Sequence, residues 1–124
     1  MRSILSSIVW LLFISTANAQ KSDPKVSMPD SNKKVQVVET ACGECQFKLA
    51  GKGCNLAVRI DSNSYFVDGT DINSHGDAHA KDGFCNAVRK AEVQGNVVND
   101  RFKVTYFKLL KEGEKKEQPT AQKN

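Results

Sequence analysis

The chain has 124 residues and a formal net charge of +4, a size that suits one small domain. Segment 35–110 contains nine basic and nine acidic residues, so the positive excess lies outside it. Nucleic acid is therefore not an expected partner, because a protein that binds the phosphate backbone needs a clustered basic face.

The first residues predict a signal peptide, 1–19. Arg2 gives a positive start, residues 4–14 form a short apolar run, and residues 17–19 have the A-x-A form of a cleavage site. A bilayer span needs about 20 apolar residues, so this run is too short for a stable membrane anchor. We expect an exported protein, periplasmic or secreted, that begins at Gln20 after cleavage.

The segments on either side of 35–110 lack the apolar content of a core. Residues 20–34 are polar and contain prolines and serines, and residues 111–124 mix lysine with glutamate. They predict a disordered linker and a disordered charged tail. A folded domain confined to 35–110 is near the size at which one apolar core supplies only about 3–5 kcal/mol, and natural domains this small often add disulfides or a metal.

The first half of the domain has the residue pattern of strands. Residues 35–41 are rich in β-branched side chains. Leu56, Val58 and Ile60 alternate with Ala57 and Arg59, and turn residues separate this stretch from the apolar run 65–67. These patterns predict one strand followed by a hairpin.

The second half predicts a short helix and another hairpin. Asp82 is a good helix cap, and four apolar residues after it share one helical face: Phe84, Ala87, Val88 and Ala91. Residues 93–97 and 102–106 alternate on either side of a tight turn at 99–100, which predicts two strands. The alternation changes phase near 106–107, which predicts a β-bulge or a strand that enters a different environment.

The element order is strand, strand, strand, short helix, strand, strand. This is the order of an OB-type barrel. We therefore predict a mainly β fold, a small five-stranded OB-like barrel with one short helix between strands 3 and 4. An open antiparallel sheet with the helix on one face has the same element order, and connectivity alone does not separate the two.

Three short motifs mark the domain: CGECQF at 42–47, HGDAH at 75–79 and DGFC at 82–85. Together with the Gly-Cys pair at 53–54, they resemble a family of small exported bacterial domains of unknown function with CGxCxF, HGDAH and DGFC motifs. The resemblance covers most of the folded segment. It implies a compact exported domain and brings no activity with it.

The chemistry of the domain centres on its cysteines and histidines: Cys42, Cys45, Cys54, His75, His79 and Cys85. The two-residue spacing of Cys42 and Cys45 lets both sulfurs face one ion. The two histidines share a face if their segment is helical. Cys85 falls in the first turn of the predicted helix, where the helix dipole favours the thiolate that a metal needs. Because sulfur and imidazole ligands suit zinc or copper, we predict an exported, non-catalytic domain that binds such an ion through these residues.

Two other functions fit the same cysteines. Four cysteines in a small exported domain often form two disulfides, with three possible pairings, and the domain is then a stapled module that contacts a protein or a small ligand. The C-x-x-C spacing of Cys42 and Cys45 also occurs in thiol–disulfide oxidoreductases, in which one sulfur is nucleophilic. The βαβ context of that motif is missing here, so we do not expect an enzyme.

Overall fold

The computed structural model describes residues 26–112. The predicted signal peptide, 1–19, and most of the predicted tail, 111–124, lie outside the described residues. None of the helices that residues 26–112 form combines the length and the apolar character of a membrane span. In chain order the elements are β1 (Gln36–Cys42), α1 (Gly43–Gln46), β2 (Leu56–Ile60), β3 (Asn63–Asp68), a 3₁₀ helix (Ile72–His75), β4 (Arg89–Val98) and β5 (Arg101–Leu109).

The five strands form a closed barrel in the order β1-β2-β3-β5-β4. Neighbouring strands are antiparallel except β3 and β5, which run parallel. β1 closes the barrel on β4, with Val38 opposite Ala91. The structure therefore confirms the predicted five-stranded OB-like barrel and excludes the open sheet.

One short helical piece lies between β3 and β4, as predicted, but its position differs from the predicted one. It is the 3₁₀ helix at Ile72–His75, whereas residues 82–86 form turns and a bend and β4 begins at Arg89. Ala91, which fits the helical period, pairs with Val38 of β1. Strand pairing on both sides of β4 thus overrides the helical spacing of these apolar residues.

The predicted tight turn and the predicted irregularity are both present in the second hairpin. Asn99 and Asp100 have φ values of 51° and 61°, the left-handed conformations that a two-residue hairpin turn needs. The pairing of β4 with β5 shifts between Gln94 and Gly95, opposite residues 104–106. This bulge lets two consecutive aromatic residues of β5 both be buried.

The barrel interior is filled by apolar side chains from every strand, and the β3–β4 connection adds Ile72 and Phe84. Val58, Val93 and Phe102 are among the most deeply buried members. The thiol-bearing residue at the end of β1, Cys42, belongs to the same core. The cysteine site is therefore built directly on the barrel.

Part of the predicted linker contacts the barrel. Val26 is 3% exposed and belongs to the core. The side chain of Gln94 accepts a hydrogen bond from the backbone N–H of Asp30 and donates to the backbone carbonyls of Asp30 and Lys33. Residues 26–34 therefore have defined contacts with β4, which their polar composition did not indicate.

Candidate metal centre

Cys42 and Cys45 lie where β1 ends and α1 begins. Cys42 is the N-cap of α1, and its sulfur accepts a hydrogen bond from the backbone N–H of Cys45 at 3.4 Å. The first N–H groups of a helix have no partner within the helix, so here the sulfur of Cys42 satisfies one of them. The single turn of α1 thereby holds both cysteines at one corner of the barrel.

This corner is tight because Gly43 has no side chain. A Cβ at this position would lie 2.5 Å from Cε1 of Phe66 and 3.1 Å from Cβ of Ala57. The backbone N–H of Gly43 donates to the carbonyl of Asn55 at 2.8 Å. Gly43 thus lets α1 pack directly on β2 and β3, and it draws the loop that carries Cys54 against the first two cysteines.

A carboxylate ties these two segments together. Glu44 accepts hydrogen bonds from the backbone N–H of Asn55 at 2.9 Å and from the side-chain amide of Asn55, and the thiol of Cys42 donates to it at 3.5 Å. Burial raises the pKa of Glu44, but the hydrogen bonds from Asn55 outweigh burial and hold that pKa below its usual value. The ionised side chain therefore clamps α1 to the residue that follows Cys54.

Cys85 reaches the same corner from the β3–β4 connection. Its backbone N–H donates to the carbonyl of Ala78 at 2.9 Å, and the carbonyl of Phe84 accepts from the N–H of Cys42 at 2.9 Å. The side-chain amide of Gln46 donates to the carbonyl of Cys85 at 2.8 Å. Cys85 is therefore held by hydrogen bonds from its own loop and from the β1–α1 corner.

The HGDAH motif at 75–79 and the DGFC motif at 82–85 determine the path of the β3–β4 connection. The side chain of Asp77 accepts from the backbone N–H of His79, and the amide of Asn86 donates to the carbonyls of His79 and Ala80. A Cβ at Gly83 would collide with the carbonyl oxygen of Asp77. The loop can therefore fold back on itself only with glycine at this position, and this folding delivers the fourth cysteine.

The four thiols converge at one point. Their Sγ atoms, from Cys42, Cys45, Cys54 and Cys85, all lie within 4.8 Å of one another and form a group that could hold a metal ion. Cys54 is the shared neighbour, because its Sγ is 3.4 Å from that of Cys42 and 3.9 Å from that of Cys45. All four cysteines are free, and these separations are well beyond the length of about 2.05 Å that a disulfide bond has.

The thiols differ in exposure. Cys42 is buried, Cys54 and Cys85 are half-buried, and Cys45 is exposed. Burial, a hydrogen bond with Cys54 and the charges of the other thiolates raise the pKa of Cys85, and burial raises the pKa of Cys42. Thiolates at these positions are therefore favoured when a cation offsets the crowding of like charges.

The two predicted histidine ligands lie outside this group. Nε2 of His75 is 2.9 Å from the hydroxyl of Thr70, and its ring packs against Phe107 with the ring centroids 4.4 Å apart. Burial lowers the pKa of His75, and Asp71 opposes part of this effect. His79 is exposed. Among the described residues, the group that could hold an ion contains the four predicted thiols and neither of the two predicted imidazoles.

Two further features of the site differ from expectation. Cys85 lies in a turn and not in the first turn of a helix, so no helix dipole acts on its thiol and its pKa is raised. Glu44 and Gln46, which join the ligand-bearing segments, were not among the predicted site residues. Both lie in the CGECQF motif beside Cys45, and this position was the one signal that pointed to them.

A closed five-stranded barrel with four thiols gathered at the end of its first strand defines a small β-barrel domain with a cysteine cluster. The family of unknown function DUF6370 matches residues 36–110, from the first residue of β1 to the residue after β5. The match covers more than half of the chain, and the chain belongs to this family. No curated protein and no solved structure matches the chain. The expectation of a domain family without an assigned activity is confirmed.

Proposed function

We propose that this chain is an exported, non-catalytic domain that binds one transition-metal ion through the thiolates of Cys42, Cys45, Cys54 and Cys85. The observation that carries the proposal is the convergence of all four Sγ atoms to within 4.8 Å of one another. The residues come from three separate segments of the chain, namely the β1–α1 corner, the loop before β2 and the β3–β4 connection. Their convergence therefore follows from the fold and not from local spacing alone.

Zinc is the ion that we propose. In a tetrahedral site with Zn–S bonds of about 2.3 Å, neighbouring sulfurs are about 3.8 Å apart. The distances from the sulfur of Cys54, 3.4 Å to Cys42 and 3.9 Å to Cys45, bracket this value. Copper(I) also binds soft thiolate ligands and is the competing ion in the experiment.

Contacts around the sulfurs support a ligand role. The backbone N–H of Cys45 points at the sulfur of Cys42, a contact that favours the charged form of a thiol. Glu44 and Gln46 hold the other two ligand-bearing segments against α1. Outer contacts of this kind orient metal ligands, and their loss typically lowers metal affinity by about 10–100-fold.

The alternative function is a disulfide-stapled interaction module, which the 3.4 Å separation of the Cys42 and Cys54 sulfurs favours. Such a scaffold needs two pairs of cysteines, each brought together by its own part of the fold. Here the other two thiols, of Cys45 and Cys85, lie in the same cluster as Cys42 and Cys54, so that several pairings compete. One site with four ligands accounts for this convergence better than two separate staples.

The proposed compartment rests on residues 1–19, which lie outside the described residues. A positive residue, a short apolar run and an A-x-A site support export. Neighbouring thiols form disulfides in oxidising compartments, and a bound ion opposes this by occupying the thiolates. The domain acts there as a structural or sequestering metal site.

The test is zinc loading of the protein expressed from its full sequence and reduced beforehand. We expect native mass spectrometry and elemental analysis to find one zinc ion per chain, with the four thiols protected from alkylation until a chelator is added. Cys85→Ser should lower zinc affinity by at least about tenfold, whereas His75→Gln and His79→Gln should retain it.

Two further measurements separate the alternatives, one on the zinc-loaded protein and one on protein recovered without reduction. If an equal amount of copper(I) displaces zinc, the proposed ion is copper(I), and the proposed four-thiolate site stands. Protein recovered from the cell with no metal, no free thiol and a mass lower by four hydrogens would overturn the metal site and support the stapled module.

A further inference from the structure

We infer that Cys45 is the oxidant-reactive thiol of the cluster and that Cys54 resolves it, so that a peroxide closes a Cys45–Cys54 disulfide and expels the bound ion. The expulsion rests on the proposed function, whereas the pairing of the thiols does not need a metal. The inferred pair also differs from the pair that C-x-x-C chemistry would use, Cys42 with Cys45.

Access determines the first step. Oxidation of cysteine follows thiolate character and exposure. Cys45 is exposed, while Cys42, on the other side of the α1 turn, is fully buried. Residues 50–53, in the loop before Cys54, are exposed as well. A small oxidant therefore meets the sulfur of Cys45 before it meets that of Cys42.

Distance determines the second step. The Sγ of Cys54 is 3.9 Å from that of Cys45, and a side-chain rotation of the exposed Cys45 can close this gap to the bond length of about 2.05 Å. A bond between Cys45 and Cys42 would instead disturb the N-cap, in which the Cys42 sulfur accepts from the backbone N–H of Cys45. Cys54 is therefore the preferred partner.

The reaction is a two-electron oxidation with hydrogen peroxide as the oxidant. The thiolate of Cys45 attacks one peroxide oxygen, an S–O bond forms, the O–O bond breaks, and hydroxide leaves and is protonated to water. The thiolate of Cys54 then attacks the sulfur of Cys45, an S–S bond forms, the S–O bond breaks, and a second hydroxide leaves. Only Cys42 and Cys85 would then remain as thiolate ligands, fewer than the three or four protein ligands that hold zinc in proteins.

The pairing can be read from peptides. Cleavage after lysine, arginine and glutamate places the four cysteines in separate peptides, 40–44, 45–48, 53–59 and 82–89. An equimolar amount of hydrogen peroxide is added to the zinc-loaded full chain, and zinc release is followed with a chromophoric chelator. Samples taken at early times are alkylated in denaturant with excess chelator, so that zinc-bound thiols also react. We expect the first cross-linked product to join 45–48 to 53–59, with zinc released in step. A first product that contains 40–44, or the absence of a preferred product, would overturn the inference.

Serine variants separate the roles of the thiols. Cys45→Ser should slow disulfide formation by at least about tenfold, and Cys54→Ser should leave a sulfenic acid on Cys45 that dimedone traps. His79→Gln is the control, because His79 is exposed and lies outside the cluster. It should form the Cys45–Cys54 disulfide at about the wild-type rate. Equal slowing in all three variants would contradict the assigned roles.

Metal-free, reduced protein distinguishes this inference from the proposed function. If the chain binds no zinc and peroxide still closes Cys45–Cys54, the proposed function fails and the assignment of the thiols stands. If zinc binds and peroxide releases it through another pairing, the proposed function stands and the assignment fails.

Discussion

The side-chain amide of Gln46 donates a hydrogen bond to the backbone carbonyl of Cys85 at 2.8 Å, across 39 positions of the chain. This hydrogen bond links α1, which follows Cys42 and contains Cys45, to the loop that carries Cys85. A ligand that is already in place loses less conformational freedom when an ion binds. This bond therefore preorganises the cluster.

Removal of this hydrogen bond should weaken metal binding. We expect Gln46→Leu, which keeps the approximate size of the side chain, to lower zinc affinity by about tenfold in a competition with a chromophoric chelator. Lys48→Met is the matched control, because Lys48 also donates to the carbonyl of a ligand, Cys45, at 3.0 Å, but it is exposed and local. The zinc affinity of Lys48→Met should stay within about twofold of the wild type. Equal losses of zinc affinity in both variants would contradict a special role for Gln46.

Gly83 determines where the loop places Cys85. A methyl group there would collide with the backbone carbonyls of Asp77 and Ala78, which cannot move without opening the loop. We expect Gly83→Ala to lower the free energy of unfolding by about 1–3 kcal/mol and to lower zinc affinity as well. Urea denaturation and chelator competition measure the two effects.

The neighbouring Asp82→Ala provides the control for Gly83→Ala. Its side chain is 75% exposed and makes a 3.6 Å ion pair with Arg89, so the substitution should change stability by at most about 1 kcal/mol. Normal zinc affinity in Gly83→Ala would show that the backbone of this loop does not position the fourth thiol.

The barrel could be predicted because strand and turn signals are local. Alternating apolar positions at 56–60 and the turn residues Asn99 and Asp100 mark their structures without reference to distant residues. The helix was misplaced because Ala91 fits both a helical and a strand period, and its pairing with Val38 is a contact between distant segments. Nothing near Ala91 in the chain decides between the two.

The cluster could be predicted only in part. The C-x-x-C spacing identifies two thiols that can meet, but the approach of Cys85 depends on long-range bonds such as that from the N–H of Cys42 to the carbonyl of Phe84. The four-residue spacing of the two histidines predicts a shared face only if their segment is helical. The partner of His75 is the hydroxyl of Thr70, and no sequence pattern distinguishes such a partner from a metal.

The half-buried imidazole of His75 predicts that stability depends on pH. Burial lowers the pKa of His75 below its ordinary value of 6.5 in the folded chain, and Asp71 opposes only part of this effect. The unfolded chain therefore takes up the proton at a higher pH than the folded chain does. The contribution of His75 to the free energy of unfolding is complete above about pH 6.5 and is lost as the pH falls from there to the folded-state pKa.

Urea denaturation of the metal-free, reduced protein between about pH 7.5 and 5 measures this dependence. We expect the free energy of unfolding to fall with pH in the wild type and to fall less in His75→Gln, which no longer titrates. His79→Gln is the control, because His79 is exposed, and it should follow the wild type. An unchanged decline in His75→Gln would assign the dependence to other groups.

Gln94 should be the residue that attaches the segment before β1 to the barrel. Its side chain is 1% exposed and exchanges hydrogen bonds with the backbone of Asp30 and Lys33. Gln94→Leu fills a similar volume but leaves these backbone groups without their partner, so we expect the free energy of unfolding to fall by about 2–3 kcal/mol.

Asn96→Ala, at an exposed position of the same strand, should stay within about 0.5 kcal/mol of the wild type. None of these bonds involves a cysteine, so zinc affinity should be unchanged in Gln94→Leu. A loss of stability no larger than that of Asn96→Ala would show that the segment does not stabilise the fold.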